Sequence, residues 1–278
     1  MKIAAIIQAR TSSSRLPEKV LKTLPYNSDT NILQQVIRRT KKSKYINNIV
    51  VATTTEKEDE KIIETVKREK VNYHRGSLEN VLERYYLAAK ENKADIIVRI
   101  TSDCPCIDAK IIDMLIEKHL KEKNDYTNNF LERSFPHGLD AEVFNFDVLE
   151  KAYFNANKKY ETEHVTPYIY KTDKSKFKIG NLKAAGDYFA PDIRITVDTE
   201  EDYALLCIVY DYLYKNNNFF DIKDIIKLFK EKPFLKLINQ KIIQKKIFDN
   251  LSEEINEAVK ILKLQDLNKA ADILRNRR

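Results

Sequence analysis

Through its first 121 residues the chain alternates short apolar runs, each closed by turn chemistry, with segments of helical period, and that order admits few folds. Residues 3–7, 49–53, 71–74 and 95–100 read as strands; residues 31–43, 57–70, 78–92 and 108–121 read as the helices that follow them. Repeated βα units of this length build a mostly parallel sheet covered by helices on both faces. The fourth run is apolar until Arg99, which suits a central strand. The middle is less regular. Residues 125–129, 140–146 and 177–181 read as strands of a mixed region, with helices over 147–157 and 161–170. Residues 193–197 return to strand character, and Asp198 or Thr199 is placed to cap a strong helix over 199–214.

After Asp221 the pattern is helical, and 251–277 reads as two short amphipathic helices broken near Gln265. Ile255, Val259, Leu262, Leu267, Ala271 and Leu274 fall on their apolar faces. The expected organisation is an α/β domain over 1–235 and a helical C-terminal extension over 236–278. Those faces are short for independent stability, so packing on the parent domain is expected, with a homodimer as the second option.

The net charge of +7 is a small imbalance between 49 basic and 42 acidic residues. Much of it lies late, in Lys241, Lys245, Lys246, Arg275, Arg277 and Arg278. No zinc-finger, helix-turn-helix or aromatic RNA-binding pattern accompanies it, so nucleic acid is not an expected partner. No apolar run is long enough to span a bilayer, and the first one meets charge too soon for a signal peptide. No membrane association is expected. Three cysteines, Cys104, Cys106 and Cys207, suit a reducing cytoplasm better than a disulfide framework. Cys104 and Cys106 lack the second ligand pair that zinc requires.

Chemistry concentrates where the first apolar run ends. The loop Gln8-Ala9-Arg10-Thr11-Ser12-Ser13-Ser14-Arg15-Leu16-Pro17-Glu18-Lys19 holds three cations and three consecutive serines at the carboxyl end of a first strand, where α/β sheets bind ligands. Serine hydroxyls and backbone N–H groups can hold phosphate oxygens, and Arg10, Arg15 and Lys19 would neutralise a polyphosphate. Asp103 and Asp198 each follow an apolar run, and two such carboxylates in one crevice would suit Mg²⁺. Arg75-Gly76-Ser77 follows another run and opens a helix carrying Asn80 and Arg84; Gly76 allows close approach, and the helix start attracts an anion or a base carbonyl. Asp140 and Glu142 lie on the same side of an expected strand, and Glu163 adjoins His164. Either pair could hold a second substrate.

Several motifs in order resemble the cytidylyltransferase-like proteins of the spore coat polysaccharide biosynthesis type, relatives of CMP-KDO and CMP-sialate synthetases. They are Gln8-Ala9-Arg10, Ser13, Arg15-Leu16-Pro17 and Lys19-Val20-Leu21; Val51-Ala52-Thr53; Arg75-Gly76-Ser77 with Asn80-Val81-Leu82 and Arg84-Tyr85; Arg99-Ile100-Thr101 with Asp103-Cys104-Pro105; Gly138-Leu139-Asp140; Glu163-His164-Val165-Thr166-Pro167; and Val197-Asp198-Thr199 with Glu201-Asp202. The resemblance covers about the first 230 residues. It implies a Rossmann-like nucleotidyltransferase fold with CTP as nucleotide and Mg²⁺ as ion. Arg15 and Lys19 would bind the triphosphate with help from Ser13, and Asp103 and Asp198 would be the metal ligands. Gln8, Ala9, Arg10, Arg75, Gly76, Ser77, Asn80 and Thr101 would complete the nucleotide site, with Asp140, Glu142, Glu163 and His164 on the acceptor side. Ser12, Glu18 and Ser102 stand where the family usually carries glycine, and Glu18 puts an anion next to Lys19 in sequence.

The expected activity is therefore Mg²⁺-dependent transfer of CMP from CTP to a small anionic acceptor, with Arg15, Lys19, Asp103 and Asp198 as the catalytic set. A sugar-1-phosphate nucleotidyltransferase lacks support because the Gly-Gly-x-Gly-x-Arg loop is missing. A glycosyltransferase would carry Asp-x-Asp where this chain has Asp103-Cys104-Pro105. A non-catalytic nucleotide-binding scaffold is the alternative of a different class.

Overall fold

A computed structural model describes residues 1–242, 248 and 250–276. It divides into two compact units, Met1–Lys241 and Ile242–Arg278. In the first, seven strands form one sheet: β1 (Ile3–Gln8), β2 (Asn48–Thr54), β3 (Asn72–Gly76), β4 (Ile96–Thr101), β5 (Tyr126–Asn128), β6 (Glu142–Asn145) and β7 (Ile179–Asn181). Their order is β3-β2-β1-β4-β6-β5-β7. β1 lies between β2 and β4, parallel to both, whereas β6 runs antiparallel to β4 and β5. Gln8 is level with Ala52 on one side and Thr101 on the other, so the first loop leaves from the middle of the rim.

Helices α1 (Ile32–Thr40), α2 (Glu60–Arg68), α3 (Val81–Glu91), α4 (Ala109–Glu122), α5 (Phe146–Asn155), α6 (Lys159–His164), α7 (Glu200–Leu213), α8 (Ile222–Glu231) and α9 (Leu235–Asn239) complete this unit. The sheet separates two apolar cores. Ile7, Val51 and Ile100 face one with Val36 and Leu205; Ala4, Ile6 and Val50 face the other with Leu82 and Tyr85. The chains leaving α2, α3 and α4 reverse through Lys70, Lys93 and Lys123, each in the left-handed region (φ 52°, 50° and 52°).

Two expected elements are corrected. Residues 193–197 are extended but belong to no strand. Their hydrogen bonds go to loops: His137 N–H donates to the Ile193 carbonyl at 2.9 Å, Ile195 N–H to the His137 carbonyl at 2.7 Å, and Val197 N–H to the Asp103 carbonyl at 2.8 Å. The helix expected over 161–170 breaks after His164, where Val165 takes a φ of 72° and Pro167 follows; a π turn, Tyr168–Thr172, resumes the coil. α9 straddles the boundary expected at 235/236 and lies within the first unit.

The second unit contains α10 (Leu251–Leu264) and α11 (Asn268–Asn276), with Ala271 buried and Ile255, Val259, Leu262 and Leu274 half-buried. Leu267 is exposed. Lys245, Lys246, Arg277 and Arg278 lie outside the described residues. No described helix is long and apolar enough to cross a membrane. Cys104, Cys106 and Cys207 are free thiols.

Candidate active site

The loop after β1 is clamped at its neck. Glu18 N–H donates to the Thr11 carbonyl at 3.0 Å, closing residues 11–18 into a loop. Thr11 is fixed in turn by Asp59, which is 1% exposed. Thr11 N–H and Oγ1 donate to Asp59 Oδ1 at 2.8 and 2.7 Å, while Oδ2 accepts from Thr53 Oγ1 at 3.1 Å and from Thr54 N–H and Oγ1 at 3.2 and 2.5 Å. Burial pushes the Asp59 carboxyl up, but these bonds outweigh it and hold its pKa below the usual carboxylate value. Sequence reasoning missed Asp59, which sits in a charged run resembling a solvated helix start.

The loop returns through a 3-10 turn, Lys19–Leu21, whose first residue points back over the rim. Lys19 Nζ donates to Asp103 Oδ2 at 2.8 Å, to Asp198 Oδ1 at 2.9 Å and to the Val197 carbonyl at 2.8 Å. Arg15 Nη2 lies 3.1 Å from the same Asp198 oxygen. Residues far apart in sequence are thus brought together as expected. Burial works against the Lys19 ammonium, yet Asp103 and Asp198 overcome it and hold its pKa above the ordinary lysine value. Burial likewise opposes ionisation of Asp103, and Lys19 outweighs it, keeping the carboxyl far below its usual range. Asp198, disfavoured by burial and by Asp103, is also lowered, through Lys19 and Arg15.

Asp198 is aimed by Arg194, which the sequence did not flag. Thr199 caps α7, leaving the Asp198 side chain available. Arg194 Nη2 donates to Asp198 Oδ2 at 3.0 Å, while its Nε and Nη2 hold the buried Asp202 at 2.9 and 2.7 Å. Its Nη1 meets His137 Nδ1 at 2.9 Å. Gly138 makes this packing feasible: at φ +112°, a Cβ there would lie 2.6 Å from the Ile195 backbone. Beyond it, Asp140 receives both Arg133 Nη1 and Nη2 at 2.8 and 3.0 Å and lies 3.7 Å from His137 Nε2.

The remaining expected residues are placed unequally. Gln8 Oε1 accepts from Arg99 Nη2 at 3.0 Å, and Ala9 N–H still bonds to the Ala52 carbonyl at 3.1 Å. Thr101 Oγ1 lies 3.3 Å from Cys104 Sγ at the end of β4. Arg10 is exposed, and Ser13 is half-buried in the loop. Arg75 is committed to its own neighbourhood, donating to the Thr54 and Glu56 carbonyls at 3.0 Å each and to Glu60 at 2.9 Å. Ser77 and Asn80 form the helix start, Asn80 N–H donating to Ser77 Oγ at 3.0 Å and Glu83 N–H to Asn80 Oδ1 at 3.0 Å. Asp140 precedes β6 rather than lying in it. Glu142 is 2% exposed, its oxygens taken by Arg99 and by Tyr126 Oη. Glu163 and His164 are exposed at the end of α6, an element that packs against α3.

Of the three residues standing where glycine is usual, only Glu18 uses the left-handed region, at φ 51°; Ser12 and Ser102 do not. Its carboxylate turns to Lys61, 2.6 Å away, rather than to Lys19.

Two hard oxygen donors converge on one compact cation, a set that suits Mg²⁺ completed by phosphate and water oxygens. No third His, Cys, Asp or Glu joins them among the described residues.

The helix-flanked sheet, with cations and paired carboxylates over the carboxyl ends of its parallel strands, has a nucleotidyltransferase-like fold. The solved structure of a cytidylyltransferase from Leptospira borgpetersenii serovar Hardjo-bovis matches with a TM-score of 0.79 and 36% identity, over 88% of this chain and 100% of that one. CMP:2-keto-3-deoxy-manno-octonic acid synthetase, solved in complex with CTP, shares the fold at a TM-score of 0.58 and 15% identity, over 76% and 99% of the two chains. A family model described as cytidylyltransferase matches residues 4–248, and the chain belongs to that family. Protein MJ1063 of Methanocaldococcus jannaschii is 43% identical over 245 residues, 88% of this chain and 97% of that protein. The spore coat polysaccharide biosynthesis protein SpsF of Bacillus subtilis is 33% identical over 210 residues, 75% and 86% of the two.

Proposed function

We propose that this protein transfers CMP from CTP to a small anionic acceptor, for cell-surface polysaccharide or glycoconjugate synthesis. Sugar acids, phosphonates and phosphorylated metabolites are the acceptor classes. The observation that carries the reading is the convergence of Lys19 and Arg15 on Asp103 and Asp198 at the rim of β1 and β4. An acceptor oxygen attacks the α-phosphorus in line, the bond to the bridging β-oxygen breaks, and pyrophosphate leaves. Such transfer depends on positioning and charge neutralisation more than on covalent chemistry. Lys19, Arg15 and the exposed Arg10 offset charge on the departing phosphates.

Asp103 and Asp198 would hold Mg²⁺, which when bound would offset negative charge on the phosphate oxygens and lower the pKa of an attacking hydroxyl. Arg194 fixes the rotamer of Asp198 through its second oxygen. On the acceptor side, Asp140 joins Arg133 and His137, and burial holds His137 below the usual histidine value despite Asp140. The name of the Bacillus relative supports the polysaccharide context.

Pyrophosphate release from CTP, screened over anionic acceptors, tests the reading. Asp103→Asn and Asp198→Asn are expected to lose at least about 100-fold in kcat/KM. Full activity in both variants would remove the assignment.

A further inference from the structure

Lys19 has no proton to spare. Its ammonium carries three, and three oxygens accept them: Asp103 Oδ2 at 2.8 Å, Asp198 Oδ1 at 2.9 Å and the Val197 carbonyl at 2.8 Å. A phosphate oxygen can reach this group only if it gives up one of those partners. The three oxygens do not depend on Lys19 for their positions. Val197 N–H donates to the Asp103 carbonyl at 2.8 Å and Thr196 Oγ1 donates to the same oxygen at 3.0 Å, which ties the two loops together. Asp198 N–H is held by Asp202 at 3.0 Å, and the second carboxylate oxygen of Asp198 by Arg194 at 3.0 Å. Two carboxylates and a backbone carbonyl are hard oxygens of the kind that holds Mg²⁺. Lys19 therefore sits in the cradle that a divalent cation would use.

Charge decides what can enter. A divalent cation alone would meet the ammonium among the same three oxygens, with Arg15 Nη2 3.1 Å from one of them. A triphosphate alone would draw Lys19 away and leave two half-buried carboxylates beside its own negative charge. When both arrive, the carboxylates keep a cation and Lys19 gains phosphate oxygens. Resting on the CTP reading above, we propose that Lys19 is a placeholder cation: it neutralises Asp103 and Asp198 in the free protein and yields them only when a triphosphate offers it oxygens in exchange. Metal and triphosphate then enter as a unit, each raising the affinity of the other by the same factor. Lysine suits the exchange, because its charge rides on a flexible stem and can change partners while the backbone stays fixed in the turn Lys19–Leu21.

Calorimetric titration of the full chain with MgCl₂, without nucleotide, tests this. The wild type is expected to take up Mg²⁺ at least about 10-fold more weakly than Lys19→Met, whose cradle has lost its resident charge. Lys19→Gln fills the same space with a neutral donor and should bind Mg²⁺ like Lys19→Met, which covers the case of a methionine variant that does not fold. Adding Asp103→Asn to either variant should abolish the uptake. A parallel titration of the wild type with CTP and Mg²⁺ together should show binding. Equal Mg²⁺ affinity in the wild type and both variants would overturn the proposal, and so would no uptake by either variant. In both cases, binding of CTP with Mg²⁺ by the wild type leaves the cytidylyltransferase reading standing. A wild type that does not respond to CTP and Mg²⁺ together would end both.

Discussion

At the rim of β1 and β4, Lys19, Arg15 and Arg194 each have a carboxylate oxygen within 3.1 Å, and Asp103, Asp198 and Asp202 are all engaged. Two strands away, at the end of β3, Arg84 is as deeply placed as any of them and has one carbonyl. In the first cluster every charge has a protein counter-charge, so binding there exchanges one set of pairs for another. In the second the guanidinium has a backbone carbonyl and no carboxylate of the described residues within ion-pair distance. Neutralised sites set what a ligand must displace; unmet groups set what it must bring.

The largest effect that could break this contrast is expected from Lys19→Met. It leaves Asp103 and Asp198 facing each other without their shared cation, which should cost about 3 kcal/mol of stability, against no loss in Arg84→Met. Calorimetry on the two variants side by side reads the difference. The two carboxylates then need another cation, so added Mg²⁺ should raise the melting temperature of Lys19→Met more than that of the wild type. Equal melting temperatures for Lys19→Met and wild type would dissolve the distinction.

A smaller effect is expected at Asp59, which serves both regions by clamping the loop after β1 and by acting on Arg84. Its carboxyl is lowered in the fold, so the stability it lends is present above the unfolded value of about pH 4 and is lost as pH falls through the depressed folded value. Asp59→Asn cannot accept the same five bonds. It should flatten that acid limb, raise KM for CTP about tenfold and speed amide exchange across residues 11–19. Unchanged exchange there would show that the loop holds itself.

How legible these features were from sequence depended on where each residue finds its partners. β1, β2 and β4 announced themselves because their apolar runs are buried on both faces of a parallel sheet. Residues 193–197 imitate such a run, with Ile193, Ile195 and Val197 all buried, yet their hydrogen bonds go to loop backbones. Alternation reports burial; it does not report the partner. Asp103 and Asp198 were legible as polar ends of apolar runs beside a cationic loop. Asp59 was not, because Thr11 lies 48 residues away and the local run reads as solvated charge. Arg194 and His137 were hidden for the same reason, each meaningful only through the other. Glu142 misled in the opposite sense: its spacing from Asp140 suggested a shared face, and Arg99 draws it into the sheet interior.

With four glycines in 278 residues, the chain makes its reversals with side chains that dislike them. Lys70, Lys93 and Lys123 end three helices in a backbone region where a β-carbon is unwelcome. Each is a reserve of stability that glycine would release, of roughly 0.5–1 kcal/mol per site. The three replacements should add in a thermal melt. The scarcity of glycine thus leaves an engineer three independent handles for thermostability, none of them near the chemistry.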